Sequence, residues 1–218
     1  AQHIKNLWDD PAIQYTFTQR AKFHFSDGAE YLFKNVTRIG EESYIPSLQD
    51  VLHCRIRTTG IVESNILDHG AKIRLVDVGG VRTERRKWMH CSEGPIVIFV
   101  AAISSFDQFL FEDRSQNRVQ EALTLFEEIC NSPQFRDSPM FLFLNKIDLF
   151  KEKIKHTSLA TCFEDYCGNQ EYDSDCEFIK KKFLERNRRH KPLYTHFTCA
   201  TDENSLRFAF DAVVDIAS

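Results

Sequence analysis

The run Lys72-Ile73-Arg74-Leu75-Val76-Asp77-Val78-Gly79-Gly80 restricts the possible folds of this chain more than any other stretch. An apolar, strand-like segment delivers an acidic residue and then two glycines, and a densely charged helical segment from Arg82 to Lys87 comes next. Open α/β sheets place ligands at the C-terminal ends of their strands, so a carboxylate there stands where chemistry is done. The glycines admit a bulky anion close to the backbone, because no Cβ stands in the way. Such an Asp can hold Mg²⁺ through water while a glycine N–H meets a phosphate oxygen. Taken alone, the same residues also describe a strand and a tight turn, and other parts of the chain must separate the two readings.

The surrounding pattern is α/β. Strand runs recur at Lys72–Val76, Ile96–Ala102, Met140–Leu144 and Tyr194–Thr198, separated by helical patterns. The clearest helix is expected over Asp113–Cys130, with Val119, Ala122, Leu123, Phe126 and Cys130 on one face. The last is expected from about Asn204, using Leu206, Ala209, Phe210, Val213 and Ala217. Strands alternating with helices predict a parallel sheet with βαβ crossovers. The opening third reads as helix and loop. Ile4–Arg20 is helical in pattern, with Ile4, Leu7, Trp8 and Ile13 able to share a face and Pro11 interrupting it or starting a new turn. Ser26-Asp27-Gly28 reads as a cap before Ala29, Leu32, Phe33 and Val36, with Gly40 as a stop. A short helix spans Ser47–Cys54. The basic cluster Lys180–Lys182 and Arg186–Arg189 reads as a solvated helix face.

Composition excludes several classes. A length of 218 residues can bury a sizeable core, and a net charge of -4 leaves no basic excess for a general nucleic-acid binder. Seven cysteines at irregular spacing, none in a C-x-x-C pair, suggest neither a zinc site nor a disulfide framework. Reduced thiols in an intracellular protein are the expectation. The longest apolar run, Pro95–Ile103, is too short to span a bilayer.

Asn145-Lys146-Ile147-Asp148 comes directly after the strand Phe141–Leu144, again at a C-terminal strand end. Its chemistry suits guanine. A fixed carboxylate accepts two parallel N–H donors from N1 and the 2-amino group, an Asn amide can serve N7 or O6, and the Lys stem can lie along the purine face. Adenine would leave such a carboxylate unpaired. The bland alternative is a loop with a helix-capping Asp. Context favours the base, because Thr198-Cys199-Ala200-Thr201 ends the next strand with a small residue whose backbone N–H can reach a base carbonyl.

With these residues in view, the chain resembles the α subunit of a heterotrimeric G protein. Arg55-Ile56-Arg57-Thr58-Thr59-Gly60-Ile61-Val62-Glu63 resembles the first switch of that family, and Asp77-Val78-Gly79-Gly80 with Arg82–Trp88 resembles the second. Phe143–Phe150 and Thr198–Asp202 resemble its two guanine-binding loops. The resemblance implies an incomplete P-loop-type G domain, a mostly parallel sheet flanked by helices, over residues 55–218. It implies the C-terminal part of an all-helical domain over residues 1–54.

It further implies a guanine-nucleotide switch in receptor signalling, binding GTP or GDP with Mg²⁺ and hydrolysing GTP. Arg55 resembles the built-in arginine finger that offsets charge on the γ-phosphoryl. Thr58 matches the threonine that coordinates Mg²⁺, Asp77 the residue that holds it through water, and Gly80 the glycine whose N–H senses the γ-phosphate. Asp27, Gly28, Leu52, Asn145, Lys146, Asp148, Cys199 and Ala200 complete the implied nucleotide contacts. Arg82, Arg85, Lys87, Trp88, His90 and Cys91 lie where the family docks its βγ dimer. Trp88 reads either as the aromatic anchor there or as a core residue against the sheet. A G protein-coupled receptor and a downstream effector are the other implied partners. The implied location is the cytosolic face of the plasma membrane, with membrane contact only through an N-terminus outside this sequence.

Two departures qualify that picture. Val81 stands where the family has a glutamine that orients the attacking water, and valine neither donates nor accepts a hydrogen bond. Slow hydrolysis is expected. No G-x-x-x-x-G-K-[ST] loop occurs among the eight glycines, and the resemblance implies that this loop, its strand and its helix belong upstream of Ala1. The chain therefore reads as a partial one, in which Lys72–Val76 and Ile96–Ala102 face each other across a gap. A non-hydrolysing binding module that holds βγ or an effector remains the rival to a working switch.

Overall fold

Aromatic packing organises the opening helices of this computed structural model, which describes residues 1–23, 25–56, 58–68, 70–80, 83, 85, 88 and 96–217. Asp10 ends the first helical run. Its side chain accepts from the Ala12 N–H at 2.8 Å and the Ile13 N–H at 3.4 Å, and Pro11 takes the first helical position, where its missing N–H costs nothing. The helix expected over Ile4–Arg20 is therefore two, α1 (Gln2–Trp8) and α2 (Pro11–Thr18). Of the residues expected to share its face only Trp8 is buried; Ile4, Leu7 and Ile13 are exposed. Trp8 stacks on Phe33 at 4.9 Å between centroids and packs edge-to-face with Phe17 at 5.0 Å. Phe33 belongs to α3 (Ala29–Lys34), which α4 (Val36–Ile39) succeeds. The short helix α5 (Leu48–His53) opens on a capping box: Ser47 Oγ accepts from the Asp50 N–H, and the Asp50 carboxylate accepts from the Ser47 N–H.

The strands form two sheets. β1 (Ile61–Asp68) and β2 (Ala71–Val78) pair antiparallel, from Ile61↔Val78 to Asp68↔Ala71. Only two residues connect them, far too few for a parallel crossover. Gly70, at φ +84°, supplies the left-handed backbone that the turn needs. Lys72–Val76 thus sits in an antiparallel hairpin, where the strand-helix alternation by itself predicts parallel pairing, and the parallel part of the sheet is made by the later strands. The second sheet is parallel as expected, with β4 (Met140–Asn145) between β3 (Val97–Ala102) and β5 (Leu193–Thr198). Among the described residues the two sheets share no ladder, so β2 and β3 do not pair.

Every residue of β4 is buried. Met140, Leu142 and Leu144 face a core shared with α6 (Arg118–Cys130) and α8 (Tyr172–Leu184); α7 (Ile147–Lys153) adds Phe150. Phe141 and Phe143 face Ala209 and Val213 of α9 (Glu203–Ala217). A strand covered on both faces has no polar side, which is why Met140–Leu144 reads as one apolar run. α6 begins at Arg118, not Asp113. Asn117 caps it, accepting from Val119 N–H at 2.8 Å and Gln120 N–H at 3.3 Å, while Asp113 turns the chain by accepting from Ser115. The expected face holds otherwise: Val119, Leu123, Phe126 and Cys130 are buried. On α9, Ala209 and Val213 are buried but Leu206 is exposed. The basic cluster Lys180–Lys182 and Arg186–Arg189, on α8 and just after it, holds no buried residue, as expected of a solvated face, and Arg186 and Arg188 also pair with Glu127 of α6.

Candidate functional site

The parallel strands deliver Asn145 and Thr198 at their C-terminal ends, side by side in register. Asn145 is buried, and its Oδ1 accepts from the Ala200 N–H at 3.1 Å and the Thr198 hydroxyl at 3.2 Å. One side chain thereby ties the two strand-end loops together. Both bonds fall on Oδ1, which leaves the NH₂ to donate elsewhere. Lys146 comes next in the left-handed conformation, φ 66° and ψ 41°. A non-glycine residue holds that state at a cost, and such residues cluster at ligand sites. The sharp turn it makes puts Asp148, which is exposed, in the first turn of α7.

The helical segment closes over these loops. The Lys146 ammonium donates to the Asp27 carboxylate. Burial pushes that carboxyl up, but Lys146, helped by Arg118 and Lys153, holds it below its usual value. Gln49 of α5 donates to the Thr201 carbonyl at 3.3 Å. Gly28 approaches α5 so closely that a Cβ would stand 2.0 Å from the His53 carbonyl oxygen.

Between these elements lies a cleft of about 660 Å³, a size suited to a small-molecule ligand. Asp27, Gly28, Leu52, Arg55, Asn145, Lys146, Asp148, Cys199 and Ala200 all line it. Leu110, Phe111, Glu112 and Arg118 line it too, and no sequence motif singles them out. The one available signal is that they come after the C-terminal end of β3. Arg118 donates to Gln108 at 2.6 Å, and burial presses its pKa down against the opposing pull of Asp27.

Thr58, Asp77 and Gly80 gather elsewhere, at the C-terminal end of β2. The Thr58 hydroxyl donates to Asp77 Oδ2 at 3.1 Å, and the Gly79 N–H bonds the Gly60 carbonyl at 3.2 Å. A hydroxyl and a carboxylate are the hard oxygen donors that Mg²⁺ takes, so this pair fits the ion. A Cβ on Gly80 would meet nothing within 4 Å, which leaves open space beside its backbone. Further on, Arg85 donates to Glu121 of α6 at 2.9 Å, and the Trp88 ring N–H donates to the Gly79 carbonyl at 3.1 Å. Both side chains are half-buried and make bonds within the molecule. Val81, Arg82, Lys87, His90 and Cys91 lie outside the described residues.

The six described cysteines are free, and burial pushes the Cys162 and Cys176 thiols up to about 11, far from a reactive thiolate. No described helix is long and apolar enough to cross a membrane.

An α/β architecture with a strand-end cleft defines the class of protein. The family emerges from comparison with known proteins: a model of the G-protein alpha subunit matches residues 1–217. The chain belongs to the G-protein alpha subunit family. It is 47% identical over 215 residues to the guanine nucleotide-binding protein alpha-4 subunit of Dictyostelium discoideum, covering 98% of this chain and 62% of that protein. It is 46% identical over 218 residues to the guanine nucleotide-binding protein alpha-1 subunit of Mycosarcoma maydis, covering 99% of this chain and 62% of that protein. The chain thus spans less than two thirds of the length of these relatives.

Proposed function

We propose that the chain is part of a guanine-nucleotide-dependent signalling switch, with the base held in the cleft between Asn145–Asp148 and Cys199–Ala200. The convergence of the two strand-end loops on Asn145 Oδ1 is the observation that carries this reading. The Asn145 amide donates to the purine, Asp148 accepts from N1 and the 2-amino group, and the Ala200 backbone borders the base carbonyl. Exposed in the structure, Asp148 becomes covered when a base docks on it. Residues 1–54 act as a helical cover and residues 55–218 as the Ras-like part. Thr58 and Asp77 hold Mg²⁺, which neutralises phosphate charge when bound. Arg55 offsets charge on the γ-phosphoryl. The surface with Arg85 and Trp88, together with Arg82, Lys87, His90 and Cys91, receives a βγ dimer, and a receptor and an effector are its further partners at the cytosolic face of the plasma membrane.

Hydrolysis is slow in this reading, because Val81 cannot orient a water. That residue favours a second reading, a non-hydrolysing module that holds βγ or an effector. Competition by GDP, ADP and xanthosine diphosphate against a fluorescent GDP tests the site. GDP should win, and Asp148→Asn should shift preference toward the xanthine nucleotide. Equal competition by ADP would sink the guanine reading. Single-turnover hydrolysis separates the two functions: Val81→Gln should accelerate a switch and leave a binding module inert.

A further inference from the structure

The helix that carries one wall of the cleft is not held by apolar packing. α5 has six residues, and its Leu48, Val51 and Leu52 are 66%, 59% and 42% exposed. So short a helix does not persist alone. Its one buried residue is Asp50, at 3% exposure. Asp50 Oδ1 accepts from the Tyr31 hydroxyl at 2.9 Å and from Arg38 Nη2 at 2.6 Å. Oδ2 accepts from Arg38 Nη1 at 2.9 Å and from the Ser47 N–H at 2.7 Å. The bidentate Arg38 fork holds the carboxyl well below the usual carboxylate range, so it stays ionised at any working pH. One charge therefore fastens α5 to Tyr31 of α3 and to Arg38 of α4.

The chain on either side of Asp50 reaches the site. Gln49, one residue before, donates to Thr201 at the far side of the cleft, while Leu52, Cys54 and Arg55, just after, line it. Tyr31 also stacks on His53, 4.0 Å between centroids and 13° from parallel. We infer that Asp50 is a positioning residue of the guanine-nucleotide cleft, setting where α5 delivers Leu52–Arg55 without itself touching ligand. The inference rests on the nucleotide reading of that cleft, yet Asp50 is not among the residues that line it. Loss of the carboxylate charge frees Arg38, slackens α5 and lets the wall retreat from both strand-end loops.

The test uses residues 1–218 and a fluorescent GDP. Asp50→Asn keeps the size and removes the charge. It should release the nucleotide about tenfold faster, the change expected when a buried coupling worth about 1.4 kcal/mol is lost. Tyr166→Phe, which removes the buried hydrogen bond to Asp175 of α8, neither residue lining the cleft, should leave release unchanged and controls for general loosening. Amide exchange in the nucleotide-free protein gives an independent reading: Asp50→Asn should speed exchange at residues 52–56 and at residues 199–201. If Asp50→Asn does not fold, Arg38→Gln, which spares the Ser47 cap, takes its place in both measurements. Wild-type release from the Asp50 variant, or faster exchange confined to residues 47–51, overturns the inference. Where residues 1–218 hold fluorescent GDP too weakly for a release rate, the exchange map alone decides the role of Asp50; binding of ADP as tight as that of GDP counts against the guanine reading and leaves that map unaffected.

Discussion

Among the described residues, Asp175 is a buried carboxylate with one oxygen left unserved. It is 1% exposed, with the Tyr166 hydroxyl donating to Oδ1 and no partner for Oδ2. Burial pushes its pKa above the usual 3.8, against the Tyr166 hydrogen bond. Its folded pKa therefore exceeds its unfolded one, so the folded state binds the proton more tightly. The resulting cost to stability is full above the folded pKa and disappears as pH falls toward 3.8. Asp175→Asn should stabilise the protein near pH 7 by roughly 1 kcal/mol, with the gain shrinking toward pH 4. Urea unfolding across that range checks it, and parallel wild-type and variant curves would refute the charge account. Nothing in the sequence flags this residue, because its burial depends on the loop that folds Tyr166 back onto it. Asn145 and Asp148 are legible for the opposite reason: their chemistry is local, a tetrapeptide at a strand end. Asp50 is legible only as part of a short helix, since its partners Tyr31 and Arg38 lie 19 and 12 residues away.

At the level of elements, sequence periodicity locates most pieces and misses where some begin. The apolar spacing of α6 reaches back to Asp113, but an Asx turn at Asp113 and a cap at Asn117 hold the chain out of the helix until Arg118. Two side chains that prefer turns outweigh the spacing. Pro11 is ambiguous in the sequence, and the Asp10 cap resolves it as the first residue of α2. The hairpin leaves no trace in the alternation of strands and helices; its signal is the two-residue link between Ile61–Asp68 and Ala71–Val78. Gly28 offers the sharpest test of how elements meet. An added methyl would lie 2.0 Å from a backbone oxygen of His53, and backbone cannot swing aside as a flexible side chain does. Gly28→Ala should therefore force α3 and α5 apart and cost about 1–3 kcal/mol, as overpacking does. Thermal unfolding measures it; a variant as stable as wild type would mean that α3 and α5 meet less closely in solution.

On the scale of the whole molecule, the two sheets predict how stability is distributed. β4 has ladder partners on both sides, whereas β3 pairs only with β4 and β2 only with β1 among the described strands. Half of the N–H and C=O groups along β2 and β3 therefore point to edges without a ladder, and such groups are costly if water cannot reach them. Val100, in the middle of β3, is 57% exposed where a core strand would cover it. A buried polar group left unpaired costs on the order of 1–3 kcal/mol, so a handful would cancel the usual net stability of a domain. Water must therefore reach these edges. In residues 1–218 by themselves, amide exchange should be slow throughout β4 and should alternate fast and slow along β2 and β3. Global stability should be low, and GTP binding weaker than micromolar, since no loop among the described residues supplies a row of backbone donors to β- and γ-phosphates. Uniform protection along β3 would mean that its outer edge is covered in solution. Submicromolar GTP binding would mean that the strand ends of β2, β4 and β5 already suffice to hold the phosphates.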